Sequence, residues 1–361
     1  MTARTQRTGR RAAIPVDFVF NPNWWFRERG LSFDKSFYLD LERRIENDRT
    51  MRKTLFERFG LEERDPGPRP ILGSLHVAGG FVIPALFGAE IRFGENQAPE
   101  AIPLELTRDQ VMKLAVPEVE NLWPLKQLLS QAEELTARFG FALGDLNTDG
   151  ILNTALCLRG QQLFLDFYDD PELVAHLARV VGQTISRVAR RIREISGSAS
   201  IAVNRSIVHV DSRIFLSANC SLQMISPDLY ASHLLPAERI LAAGLRPYGV
   251  HHCGDNCHLF ADYYAQLGVV FVDVGAGSDI RAVRTALPDA FLNLRLKPTE
   301  MLTETSEYVR REVRRMIRES EVTGKTGVCC INMDYGTPDD NVMAVIEAAR
   351  CFQEGSAQPA A

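Results

Sequence analysis

The stretch His251-His252-Cys253-Gly254-Asp255-Asn256-Cys257-His258 packs three histidines and two cysteines into eight residues of a chain that has only seven of each. Neutral imidazole and thiolate are the usual zinc ligands. A His-x-Cys pair, His251 and Cys253, plus one distant cysteine supplies three protein ligands and leaves a fourth position open. That is the arrangement of a catalytic metal site rather than a structural one. Cys329 and Cys330, which end another short apolar run, are the candidates for the distant thiol. Asp211 and Asp273 fall at predicted strand ends and have the chemistry to orient a ligand histidine. Capping a helix or pairing with an arginine is their competing role. The same residues also suit a plainer reading as buried thiols and satisfied histidines, since free cysteine is among the most buried residue types. Cys257 and His258 read as packing or surface groups on the helix that follows. Cys157, Cys220 and Cys351 have no metal-spaced partner and read as structural.

Other residues offer substrate contacts. Trp24, Trp25 and Phe26 can form a wall against a flat cofactor or a methoxyaryl group, with core packing as the alternative. Asn147, Asp149 and Asn153 follow a predicted strand and can reach substrate, although Asn and Asp in loops are usually turn formers.

These groups need elements to hold them. Short β-branched runs predict strands over 14–20, 141–146, 206–210, 245–250, 269–274, 291–296 and 327–331. Periodic or capped segments predict helices over 37–59 (as a pair), 119–139, 162–167, 171–195, 226–243, 259–267, 280–287, 299–319 and 339–352. Residues 71–93, apolar and glycine-rich, suggest strand, turn and compact packing. Strands alternating with helices imply βαβ units and a parallel sheet. About eight such units without a glycine-rich dinucleotide fingerprint favour a single closed (β/α)8 barrel of the TIM type with an N-terminal extension. Active sites of such barrels lie at the C-terminal ends of the strands, where the 251 cluster, Asp211, Asp273 and Cys329 are expected. The division is a loose basic N-terminus over 1–13, the barrel over 14–352 and a loose tail over 353–361.

A net charge of −5 and a pI near 5.9 recruit neither nucleic acid nor membrane. The Arg4–Arg11 stretch lacks the apolar run of a signal peptide, and a frayed terminus is preferred to a transit peptide. An odd number of cysteines without a regular framework points to a reducing, cytoplasmic compartment.

The order of several motifs carries a resemblance. Leu158-Arg159-Gly160 through Phe164-Leu165, then Asp169-Asp170-Pro171-Glu172, is similar to the LRG…FL…DDPE stretch of the uroporphyrinogen decarboxylase superfamily. Ile225-Ser226-Pro227-Asp228-Leu229-Tyr230, Leu235-Pro236 and Arg239-Ile240 continue it. Thr337-Pro338, Asn341 and Glu347-Ala348-Ala349-Arg350 resemble its closing segment.

The superfamily holds metal-free decarboxylases and zinc-containing, corrinoid-linked methyltransferases. The decarboxylase pattern W-x-x-R-x-x-G-R is met by Trp24, Arg27 and Gly30, but Leu31 stands where a second arginine would bind substrate carboxylates. Gly79 stands where the essential aspartate would lie. Leucine cannot replace a bidentate guanidinium. The methyltransferase branch is the better match, with His251 and Cys253 in the ligand slots. Counting back from Thr337 puts its second cysteine at Ile331. Cys330 reaches that slot with the smaller gap, and Cys329 alternates onto the same side as Ile331.

The resemblance implies Zn2+, a corrinoid (cobalamin) supplied by a separate protein, and a thiol, methoxylated aromatic or methylamine as substrate. It implies catalytic roles for His251 and Cys253; their position at strand ends and in loops adds Asp211 to the catalytic set and, with Trp24 and Arg27, makes Asn147, Asp149 and Asp273 candidate substrate or cofactor contacts. A metal-free decarboxylase, a non-catalytic metal- or corrinoid-binding barrel, and a metal-free barrel enzyme are the alternatives. Direction of transfer and a possible homodimer stay open.

Overall fold

The computed structural model describes residues 14–73, 80–198 and 211–354. Eight parallel strands run through the described residues: β1 (Val16–Phe20), β2 (Ile71–Gly73), β3 (Leu143–Asp145), β4 (Phe215–Ala218), β5 (Tyr248–His251), β6 (Val269–Val274), β7 (Phe291–Arg295) and β8 (Thr326–Met333). Six of them form one sheet in the order β1-β8-β7-β6-β5-β4, and β2 pairs with β3 separately. This is an α/β fold with a parallel half-barrel, and among the described residues the continuous ladder covers six of the eight strands. Ile91–Arg92 and Glu100–Ala101 make a small antiparallel pair outside it.

Local chemistry accounts for the helices between strands. The long helix Pro171–Ser196 starts where the Asp170 side chain accepts from Leu173 N with Pro171 at its first position, and stops at left-handed Gly197. Helix Leu41–Phe59 is framed in the same way by Asp40 and Gly60. Thr305 caps a fresh helix, Ser306–Ser320, so the single charged helix expected over 299–319 is two, the first being Pro298–Thr303.

The sheet sends side chains alternately to its two faces. Ile214, Leu216, Ala218 and Phe271 pack into one small cluster on one face. Tyr248, Val250, Val272, Val274, Leu292, Leu294, Val328 and Cys330 join the large core under the helices on the other. Among the described residues no helix is long and apolar enough to cross a membrane.

Elements not legible beforehand include strand β4 and the helices Pro22–Arg29, Arg108–Met112 and Ile151–Arg159. The strand expected over 206–210, and Gly79, lie outside the described residues. Trp24 and Trp25, each 1% exposed, pack on Phe20 in the core, so the expectation that Trp24 contacts a substrate is corrected.

Candidate metal centre

Three strand ends build the centre. His251 is the last residue of β5, and its register partners are Ala218 on β4 and Asp273 on β6. Cys253 follows two residues beyond. Cys220 follows Ala218 by the same spacing, so alternation carries it toward the face already occupied by Leu216 and Ala218. The Asn219 backbone N–H donates to the His251 carbonyl at 2.7 Å, which extends the β4–β5 pairing up to the cysteine.

The ligand atoms of Cys220, His251 and Cys253 all lie within 4.8 Å of one another. His251 Nε2 is 3.0 Å from Cys253 Sγ, and the Cys220 and Cys253 sulfurs are hydrogen-bonded to each other at 3.3 Å. Tetrahedral zinc with bond lengths of about 2.0–2.3 Å spaces its ligand atoms roughly 3.5–3.8 Å apart. The trio therefore fits a zinc ion after an opening of about half an ångström.

What lies behind the ligands fixes their orientation. His251 Nδ1–H donates to Asp273 Oδ2 at 2.8 Å, both side chains fully buried, which leaves the Nε2 lone pair for the thiols. Asn293 Nδ2 in turn donates to Asp273 Oδ1 at 3.0 Å. Arg295, 8% exposed, brings a guanidinium N–H to 3.3 Å from Cys253 Sγ.

The hydrogen bond from Cys220 holds the Cys253 thiol well below its ordinary pKa, against the opposing effect of burial, and the charges of His251 and Arg295 add to it. The Cys220 thiol is raised by that same bond and by burial. Burial would lower the His251 pKa, but the Cys253 charge and the Asp273 hydrogen bond outweigh it and raise it. His252, fully buried, is pushed down by burial to about 4 and hydrogen-bonds Tyr264 and Asn256 instead of the thiols.

Asp149 belongs to the same neighbourhood. It stands at φ 62°, a left-handed conformation that costs a non-glycine residue energy and recurs at functional sites. Its Oδ1 accepts from Gly150 N at 3.0 Å and from Asn153 Nδ2, while Asn147 Oδ1 takes the Asp149 N–H at 2.9 Å. Asn153 also reaches Ala218 O at 3.0 Å and accepts from Ser221 N at 2.9 Å, so it ties Asp149 to both flanks of Cys220. Burial raises the Asp149 carboxyl to about 6, and it senses the charges of Cys253 and His251.

Several expectations are corrected. Cys330 points to the helix-facing core, its Sγ on Leu296 O at 3.7 Å, and burial pushes its thiol up to about 12. Cys329 sits on β8 opposite Asp17 and Arg295. Among the described residues neither belongs to the group of side chains close enough together to share a metal ion, whereas Cys220, read as structural from spacing, does. Asp211 lies four residues before β4 and is not in the ligand cluster. It is bound to Arg213, whose side-chain hydrogen bonds hold it down at about 2. Arg27 bonds Asn23 and lies over the Tyr335 ring, with no place in the centre. The signal for Cys220 was the short strand Phe215–Ala218 ahead of it, which ends as β5 does, two residues before a cysteine.

Residues 78–352 match the uroporphyrinogen decarboxylase (URO-D) family, and the chain belongs to that family. The structure is similar to that of a methyltransferase from Methanosarcina mazei, with a TM-score of 0.63 at 15% identity over 94% of each chain. At that identity the likeness speaks for the fold. No curated protein matches the sequence.

Proposed function

We propose that this member of the uroporphyrinogen decarboxylase family is a zinc-dependent methyltransferase. It moves a methyl group between a corrinoid, carried on a separate protein, and a small substrate such as a thiol, methoxylated aromatic or methylamine. The observation that carries this reading is the Cys220–His251–Cys253 cluster, with its orienting Asp273, at the C-terminal ends of adjacent parallel strands. The likeness to a methyltransferase fold supports it. So does the failure of the decarboxylase pattern, which would need an arginine at Leu31. We take the eight parallel strands as the staves of a closed barrel with the centre at its mouth.

Zinc held by Cys220, His251 and Cys253 would supply a Lewis acid with one open position, lowering the pKa of a bound thiol. The chain's own residues do the rest. Asp273 keeps His251 in the tautomer that offers Nε2. Arg295 donates to Cys253 Sγ and tempers its negative charge. Asp149, whose carboxyl pKa burial raises, is a group beside the centre that can hold a proton.

Methylcobalamin demethylation with candidate thiols, in the parent and in Cys253→Ser, tests the activity. The reading predicts turnover that drops by at least a hundredfold in the variant. Equal turnover in both would overturn it.

A further inference from the structure

Behind the centre, on the helix-facing side of β4 and β5, lies a buried carboxylate to which no role has yet been given. Glu238 is 3% exposed and stands on helix Leu235–Gly244. Its Oε1 accepts from Asn219 Nδ2 at 2.8 Å and from the Tyr248 hydroxyl at 3.0 Å, and its Oε2 accepts from the Tyr230 hydroxyl at 2.6 Å. Ser217 Oγ reaches Asn219 Oδ1 at 3.3 Å, and the Tyr264 hydroxyl also bonds the Asn219 side chain. Tyr264 in turn holds His252 Nδ1 at 2.7 Å.

Removing a carboxylate from water costs several kcal/mol unless hydrogen bonds replace its hydration. A helix wall needing only to pack on a sheet would be apolar, as its neighbours Leu235 and Leu241 are. Here the donors converge on one carboxylate and, through Asn219, on the peptide immediately before Cys220. The backbone N–H of Asn219 is meanwhile fixed to the carbonyl of His251. Asn219 is thus gripped from both sides, and Cys220 has little freedom to rotate away from Cys253. Cys220 needs such a grip because it lies beyond the end of β4, at the first residue of a short 3-10 turn, Cys220–Met224.

We propose that Glu238 and Asn219 are positioning residues for the metal centre, the carboxylate acting through the Asn219 amide to hold Cys220 in ligating position. This rests on the metal reading given above.

The test uses Co2+ titration of the full chain, reading affinity together with the intensity of the thiolate-to-cobalt charge-transfer band. The parent is expected to show the band of two thiolates. Asn219→Ala should weaken Co2+ by about 10- to 100-fold and reduce the band to that of Cys220→Ser. Adding Cys220→Ser to Asn219→Ala should then cost nothing further. Glu238→Gln, whose amide oxygen can still accept from Asn219 and Tyr248 while its NH2 meets Tyr230, should stay within about threefold of the parent. If Asn219→Ala does not fold, Tyr248→Phe removes one donor from the same carboxylate oxygen without a change in packing, and should lower affinity by about threefold with a partial loss of the band.

A folded Asn219→Ala, or failing that Tyr248→Phe, that keeps the parent's affinity and two-thiolate band overturns the proposal alone. A parent that takes no Co2+ overturns the metal reading, and this proposal with it.

Discussion

Asp273 and Asp149 place a carboxyl on either side of the centre, and each makes a separate prediction. Asp273 binds His251 through the nitrogen that would not face the metal. Asp273→Asn keeps the shape but removes the charge that fixes the tautomer, and zinc affinity should fall about 10- to 100-fold. A competitive chelator titration reads it, and unchanged affinity would contradict the role given to Asp273. Asp149 is a question of pH. Its folded carboxyl titrates near 6 against an ordinary 3.8, so the folded chain holds the proton where the unfolded chain has released it. Stability is then unaffected below about pH 4 and falls as pH rises to about 6. Above that it stays lower by about 2 kcal/mol, allowing for the carboxyl's partial exposure. In the metal-free protein, Asp149→Asn should therefore gain on the parent between pH 4 and pH 7 in denaturant unfolding. A gap that is the same at both pH values would rule this out.

At the scale of elements, the peptide chains beside the centre are packed without slack. A Cβ on Gly275, just past β6, would stand 1.8 Å from Gly254 O and 2.7 Å from His252 O. Gly275→Ala must push aside the segment that carries Cys253, at a cost of about 1–3 kcal/mol and with weakened metal binding. Thermal unfolding with and without zinc reads both effects, and a variant indistinguishable from the parent would show that this segment yields freely.

The same scale explains what the sequence made legible. β6 was expected over 269–274 and found there, because five of its six residues are buried and the run is apolar up to Asp273. His251, Cys253 and Asp273 were legible because they sit at the ends of such runs. Cys220 was not, because β4 is only Phe215–Ala218 and its apolar run passes straight into polar Ser217 and Asn219. Those two residues are polar because they face Glu238, a partner that only folding brings near. Cys329 and Cys330 could not be told apart by spacing. Adjacent thiols on one strand must face opposite sides, and Cys330 faces the helices.

Across the whole molecule, zinc would join segments that follow two different strands, with Cys220 after β4 and His251 and Cys253 at and after β5. A ligand that binds only the folded chain stabilises it by about 2.7 kcal/mol at a hundred times its Kd. Melting of the zinc-loaded protein should therefore lie several degrees above that of the chelated one. Equal melting temperatures would show that the two segments are not held by metal.

The most direct measurement of the central claim is zinc content per chain in the parent and in four single variants, Cys220→Ser, Cys253→Ser, Cys329→Ser and Cys330→Ser. The structure-based assignment predicts about one zinc in the parent, almost none in the first two variants and a full complement in the last two. A parent without zinc after reconstitution would contradict the metal centre itself. Zinc kept by Cys220→Ser but lost by Cys329→Ser or Cys330→Ser would return the third ligand to β8.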